Sequence, residues 1–255
     1  MSDSRWARSN SLASPAYSRV LLKISGEALA GGKGLGFDFG TLNRIAGEIK
    51  EVTSLGAGVG LVIGGGNIVR GAQFAQHGMD RVGGDYMGML GTVINALAVQ
   101  DVLEQNGMET RVMTAINMEQ IAEPFIRRRA LRHFEKGRVC IFAGGTGNPY
   151  FSTDTAAALR AIQTKSQVII KATSVDGVYS ADPKKDPNAT LFNEISYRDV
   201  MLKELGVMDQ TAIALCRENK LPVIVLNINT PGAIARAVSG ERIGTIVHEH
   251  DTPDN

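Results

Sequence analysis

The chain has 255 residues, 44% of them hydrophobic, with 27 basic against 26 acidic side chains and a net charge of +1. That length buries a sizeable core in one α/β domain, or in two lobes sharing one sheet. Balanced charge removes the electrostatic case for nucleic acid or a membrane surface as the main partner, so small molecules are expected instead. No apolar run approaches the roughly 18 residues of a bilayer span.

Residues 1–16 are Ser-rich with Arg5 and Arg8, and they faintly resemble a transit peptide. They lack an apolar core and a clear amphipathic stripe, so a frayed extension is expected. The folded domain is expected over residues 17–248, with a polar tail at 249–255. Val20 to Ile24 is a short apolar run, broken by Lys23, that opens on Ser25-Gly26 and suggests a buried strand ending at a functional edge. An ammonium there is costly unless it finds an anion; the ordinary alternative is a snorkelling edge lysine. Gly31-Gly32-Lys33-Gly34-Leu35-Gly36 follows, a mobile loop rather than a Walker A motif, since no Gly-Lys-Ser or Gly-Lys-Thr occurs. Asp38-Phe39-Gly40 imitates the magnesium motif of protein kinases, but no His-Arg-Asp accompanies it and the match is coincidental. Leu42, Ile45, Ile49 and Val52 recur at helical spacing and predict an amphipathic helix ending near Gly56.

Val59 to Ile63 predicts a second strand that runs into Gly64-Gly65-Gly66 and then a helix carrying Arg70. Glycines let backbone N–H groups approach an anion, the helix dipole points at it, and Arg70 can add a fork of charge-assisted bonds. The bland alternative is a tight turn without a ligand. No Gly-x-Gly-x-x-Gly occurs, which argues against a dinucleotide site. From Arg81 to Asn106 a long helix is predicted with Met87, Leu90, Ile94, Leu97 and Leu103 on or near one side. Gly83, Gly84, Gly88 and Gly91 crowd its first half, where close packing is the simple explanation, and Asp85 stands at its start in a polar neighbourhood. Thr110 to Met113 and Val139 to Ala143 predict further strands, with a basic helix around Arg127 to Arg129 between them, a solvated face or a subunit contact.

Ala143 to Pro149 repeats the pattern of an apolar strand entering a glycine-rich loop. Asp154 then opens a helix as its N-cap or as an anchor for lysines, or both. Val168 to Ala172 predicts a strand with Lys171 near its end, echoing Lys23, and runs into the turn formers from Thr173 to Pro183. Two helices, a strand at Val223 to Asn227 and a last one at Gly244 to Val247 complete the series. Strands alternating with helices throughout predict a three-layer α/β/α sandwich with a mainly parallel central sheet, its sites at the strand carboxyl ends. Three polar loops, each after a strand, imply one ligand face. Cys140 and Cys216 show no metal or redox spacing and read as buried thiols in a reducing compartment. His77, His133, His248 and His250 are scattered and form no ligand cluster.

Five blocks in this order resemble the bacterial uridylate kinases of the amino-acid kinase family: Lys23 to Leu29, Gly64 to Gly71, Asp80 to Leu90, Gly144 to Pro149 and Lys171 to Tyr179. The resemblance covers essentially Tyr17 to Val247. It implies that Lys23, Ile24, Ser25, Gly26, Gly66, Arg70, Thr173, Tyr179 and Asp182 serve ATP with Mg2+. It places UMP on Gly65, Asp85 and the loop Thr146, Gly147, Asn148, Pro149, Tyr150, Phe151, Ser152 and Thr153. The catalytic set is Lys23, Lys171 and Asp154. The Gly31, Gly32, Lys33, Gly34, Leu35 and Gly36 loop matches the segment associated with allosteric control by GTP as activator; UTP is the implied inhibitor, competing at the UMP site through its shared base, and the implied assembly is a cytoplasmic homohexamer. No metal-binding residue is assigned. Two other classes stay open: a sister kinase with a carboxylate or carbamate acceptor, against which the Thr146 to Thr153 loop and Asp85 speak, and a nucleotide-binding regulator without turnover, which would have no need of lysines on a transferring group.

Overall fold

The computed structural model describes residues 15–69, 78, 80–183 and 185–249. A single nine-stranded sheet, in the order β4-β3-β5-β2-β1-β6-β8-β9-β7, carries helices on both faces. The strands are β1 (Arg19–Ile24), β2 (Gly58–Ile63), β3 (Thr110–Thr114), β4 (Glu123–Pro124), β5 (Val139–Ala143), β6 (Val168–Thr173), β7 (Glu194–Ser196), β8 (Val223–Asn227) and β9 (Thr245–His248). All neighbours run parallel except β8 and β9. The central strands are buried on both faces, which is why their sequences read as nearly unbroken apolar runs.

On one face lie α2 (Phe39–Ser54), α3 (Arg81–Gln105) and α8 (Ala233–Val238), packed on Val20, Leu22 and Ile24. The other face takes α4 (Arg127–Glu135), α5 (Thr153–Thr164), α6 (Tyr197–Leu202) and α7 (Gln210–Glu218), packed on Leu21, Val62 and Ile169. The short α1 (Gly26–Leu29) follows β1 directly. Strand and helix positions agree with the expected ones to within a few residues, apart from the helix expected to carry Arg70, which lies outside the described residues, and Asp38 is the N-cap of α2, its carboxylate accepting the Thr41 N–H at 2.8 Å. The short elements β4, β7 and α8 were not expected. Both cysteines are buried, and desolvation pushes each thiol up to about 12.

Helix α3 corrects the sequence reading twice. The side marked by Leu90, Ile94 and Leu97 is the exposed one, and the helix packs through Met89, Val93, Ala96, Val99, Val102 and Leu103. It is also long and apolar enough to cross a bilayer by length and composition, although half of its 18-residue window is buried inside the chain. Apolar residues run around most of this helix, so spacing alone does not tell the covered face from the open one.

Candidate active site

Strand geometry places the lysines. Side chains alternate across a sheet, so Lys23 lies on the same face as Leu21, and Lys171 on the same face as Ile169. β1 and β6 are adjacent with Lys23 in register with Lys171, which brings two ammonium groups side by side beneath α5. Asp154 in the first turn of α5 answers both: Lys23 Nζ lies 2.6 Å from Oδ1 and Lys171 Nζ 2.8 Å from Oδ2. The three side chains are only 10 to 15% exposed. The Lys23 contact is a close ion pair.

Burial raises the Asp154 carboxyl, but the two ammonium groups together outweigh it and hold the group below its ordinary value. Burial lowers Lys171, and repulsion from Lys23 adds to that; Asp154 and Asp209 pull the other way without reversing it. Asp154 therefore anchors the lysines. The N-cap of α5 is Ser152, whose Oγ accepts the N–H groups of Asp154 at 3.0 Å and Thr155 at 3.2 Å.

The three polar loops meet at this edge. A Cβ placed on Gly64 would stand 3.0 Å from the Gly26 nitrogen and 3.6 Å from Thr153 Oγ1. One on Gly26 would fall 2.5 Å from the Gly64 carbonyl and 2.7 Å from the Gly66 nitrogen, so only glycine admits this approach of two backbones. The helix behind them holds the loops from below. Asn95 of α3 donates to the Gly64 carbonyl at 2.6 Å and pairs with Asn67, whose amide donates to the Gly36 carbonyl at 2.8 Å; Thr92 accepts the Gly144 N–H at 2.8 Å. Asn67 and Asn95 are fully buried, and their mutual pairing satisfies what burial would otherwise make costly.

A cleft of about 570 Å³ opens beside the lysines, lined by Lys23, Ser25, Lys171 and Thr173 together with Gly31 and Gly32. The loop that the resemblance associates with allosteric control thus borders this cleft through Gly31 and Gly32. Arg44 of α2 also lines it, holding the Ile228 carbonyl and, at 3.2 Å, Asn229 Oδ1. Sequence reasoning missed Arg44, which looks like any solvated residue of an amphipathic helix. Tyr179 and Asp182 do not line this cleft; they lie on the segment after β6, where Tyr179 bridges to Leu191. Arg70 lies outside the described residues.

On the other side, Asp85 accepts the Tyr150 N–H at 2.7 Å and faces Arg81 at 3.6 Å, and the Arg81 guanidinium lies 4.7 Å from the Tyr150 ring centroid. Tyr150 has φ of 71°, a left-handed conformation that a non-glycine residue holds only at a cost. The Tyr150 contact ties Asp85 to the Thr146 to Thr153 loop. Among the described residues no group of three or more acidic, His or Cys side chains is placed to hold a metal.

The sequence matches the model of the amino acid kinase family over residues 18–227. A UMP kinase from Bacillus anthracis is 43% identical, with a TM-score of 0.90 and coverage of 92% of this chain and 97% of that one. A UMP kinase from Ureaplasma parvum is 38% identical, with a TM-score of 0.86 and coverage of 91% and 99%. A uridylate kinase from Archaeoglobus fulgidus is 28% identical, with a TM-score of 0.70 and coverage of 89% and 99%. With the family model spanning most of the chain and solved relatives superposing over nearly all of it, this protein belongs to the amino acid kinase family.

Proposed function

We propose that this chain is a uridylate kinase, transferring the γ-phosphoryl group of ATP to UMP to give UDP and ADP. The observation that carries the reading is the pair of buried lysines on adjacent strands, bridged by Asp154 where three glycine-bearing loops converge. Phosphoryl transfer runs through a loose transition state with charge spread over its oxygens, so the protein must align two phosphates and neutralise them. Two ammonium groups at this edge are placed to favour the transferring group as its charge spreads. The acceptor phosphate is already anionic, and no general base is needed.

Donor contacts fall to Lys23 through Gly26, Gly66, Thr173 and the cleft beside them, with Arg70, Tyr179 and Asp182 carried by family resemblance. Gly65, Asp85 and the Thr146 to Thr153 loop take the acceptor, Asp85 exchanging its Tyr150 contact for a ribose hydroxyl. Magnesium enters with the donor as MgATP: the one carboxylate at the centre, Asp154, is committed to the lysines, and no protein cage for a metal exists among the described residues. Control by GTP is assigned to the Gly31 to Gly36 loop, supported by its hydrogen bonds to Asn67 in the glycine loop, and inhibition by UTP to competition at the UMP site. Assembly to a homohexamer is supported by the exposed Leu90, Ile94 and Leu97 side of α3. A cytoplasmic location follows from the same family reading.

The deciding experiment is a coupled ADP-release assay over UMP, CMP, AMP, aspartate, glutamate and acetylglutamate. UMP is expected to be turned over, with CMP disfavoured by about 3 kcal/mol, because a site built for one hydrogen-bonding edge rejects the exchanged pattern. Comparable rates with CMP, or turnover of a carboxylate alone, would sink the reading.

A further inference from the structure

Asp209, in the turn ahead of α7, has no role in any assignment above, yet it reaches both halves of the site. Its Oδ1 caps α7 by accepting the Ala212 N–H at 3.0 Å. The same carboxylate accepts the Thr155 hydroxyl, at 2.9 Å from Oδ1 and 3.0 Å from Oδ2, and the Ser152 hydroxyl. Two residues earlier, the Val207 carbonyl accepts Lys171 Nζ at 2.5 Å. A helix cap needs only one acceptor oxygen. The remaining contacts join this turn to the first turn of α5, which carries Asp154 and ends the acceptor loop.

We propose, resting on the uridylate kinase reading, that Asp209 is a positioning residue for phosphoryl transfer: through Ser152 and Thr155 it sets the first turn of α5, and with it Asp154, Lys171 and the Thr153 end of the acceptor loop. The chemistry of Ser152 supports this. Its oxygen already accepts two N–H groups, and its single proton goes to Asp209, so the hydroxyl is not offered to an acceptor phosphate. The hydroxyl facing the convergence of the glycine loops is that of Thr153. Asp209 thereby decides which hydroxyl of the loop meets the substrate.

Only an ionised carboxylate serves here. Asparagine has one acceptor oxygen for the Ala212 amide and two hydroxyls, and its NH2 would face a Ser152 oxygen whose lone pairs are taken. The charge also reaches Lys171, which faces Lys23 from β1, Asp154 from α5 and Asp209 from the turn before α7. Cys216 of α7 stands near the two carboxylates as a neutral thiol.

The test uses the full chain and the variants Asp209→Asn and Asp209→Ser, the latter keeping an N-cap. Ser196→Ala serves as the control, since it removes the cap of α6 away from the site. Measurements are thermal melting, kcat, KM for each substrate and the pH profile, with whichever acceptor the wild type turns over. Lysine side-chain NMR titration reads Lys171 without any acceptor, so failure of UMP as substrate is distinguished from failure of this proposal. Expected for both Asp209 variants are a kcat lowered at least about tenfold, as for other small misplacements of reacting groups, and a KM raised for the acceptor but not for ATP. The alkaline limb and the Lys171 titration should move to lower pH, because an acid that holds the ammonium protonated is gone. Ser196→Ala is expected to lose stability with kinetics unchanged. If the Asn variant does not fold, the Ser variant decides. A loss of melting temperature with kcat, the KM ratio and the Lys171 titration unchanged would make Asp209 a helix cap only and overturn the proposal.

Discussion

Lys23 and Lys171 both pair with Asp154, while Asp209 acts on Lys171 from farther off. Lys23→Ala removes the charge used most in the transition state while leaving Asp154 paired with Lys171. The expected outcome is a kcat at least about a hundredfold lower with melting nearly unchanged; survival of activity would shift the role to Lys171. Asp154→Asn does the opposite, stranding two buried ammonium groups, and should cost about 3 kcal/mol in urea unfolding. The carboxyl is held below its ordinary 3.8, so its stabilisation is fully present above that pH and is lost as pH falls through and below it. The stability gap between wild type and Asp154→Asn should therefore close only in that acid range. At the other end, burial and Lys23 depress Lys171 from 10.5, so kcat should fall at a lower pH than an ordinary lysine would dictate. A rate that is flat up to that value would count against a depressed Lys171 whose charge is needed for turnover.

At the scale of elements, α3 does two jobs on opposite sides. Its covered side carries Thr92 and Asn95, which reach up to the Gly144 and Gly64 loops and hold them in place. A Cβ on Gly65 would stand 2.6 Å from the Gly88 carbonyl, so loop and helix touch backbone to backbone. The open side presents Leu90, Ile94 and Leu97, an apolar row unusual for a free surface. If this row is the contact of the proposed homohexamer, Ile94→Glu should give species smaller than those of the wild type by light scattering while circular dichroism stays native. An unchanged mass would remove this row from the subunit contact.

At the scale of the whole molecule, the parallel sheet gathers the carboxyl ends of β1, β2, β5 and β6 at one edge, where each strand hands its loop to the same site. The Gly31 to Gly36 loop joins that edge through Asn67, which accepts the Gly36 N–H with its backbone carbonyl at 2.9 Å and donates to the Gly36 carbonyl with its amide. A loop so tied to the glycine turn is suited to transmit a coupling of about 1 to 3 kcal/mol between sites. Replacing Gly31 to Gly36 by a short linker should blunt any effect of GTP on the apparent affinity for UMP while basal turnover persists. Rates over a range of UMP concentrations, with and without GTP, measure this, and an unaltered GTP response in the variant would exclude the loop.

The sequence by itself determined the layers, the long strands, both lysines and the glycine loops. Buried parallel strands must be apolar throughout, and a backbone that approaches another backbone must be glycine, so both leave local marks. Whether Asp154 caps its helix or anchors lysines stayed open, because Ser, Thr and Asp stand together at 152 to 154 and any of them can cap. The covered side of α3 was not legible for a similar reason: periodicity reports a stripe but not which neighbour arrives. Arg44 and Asp209 carried no local signal at all. Arg44 meets its partners 184 and 185 residues away, and Asp209 meets the first turn of α5 across 54 and 57 residues. Only the packing of α2 against the end of β8, and of α7 against α5, decided that these two side chains belong at the site.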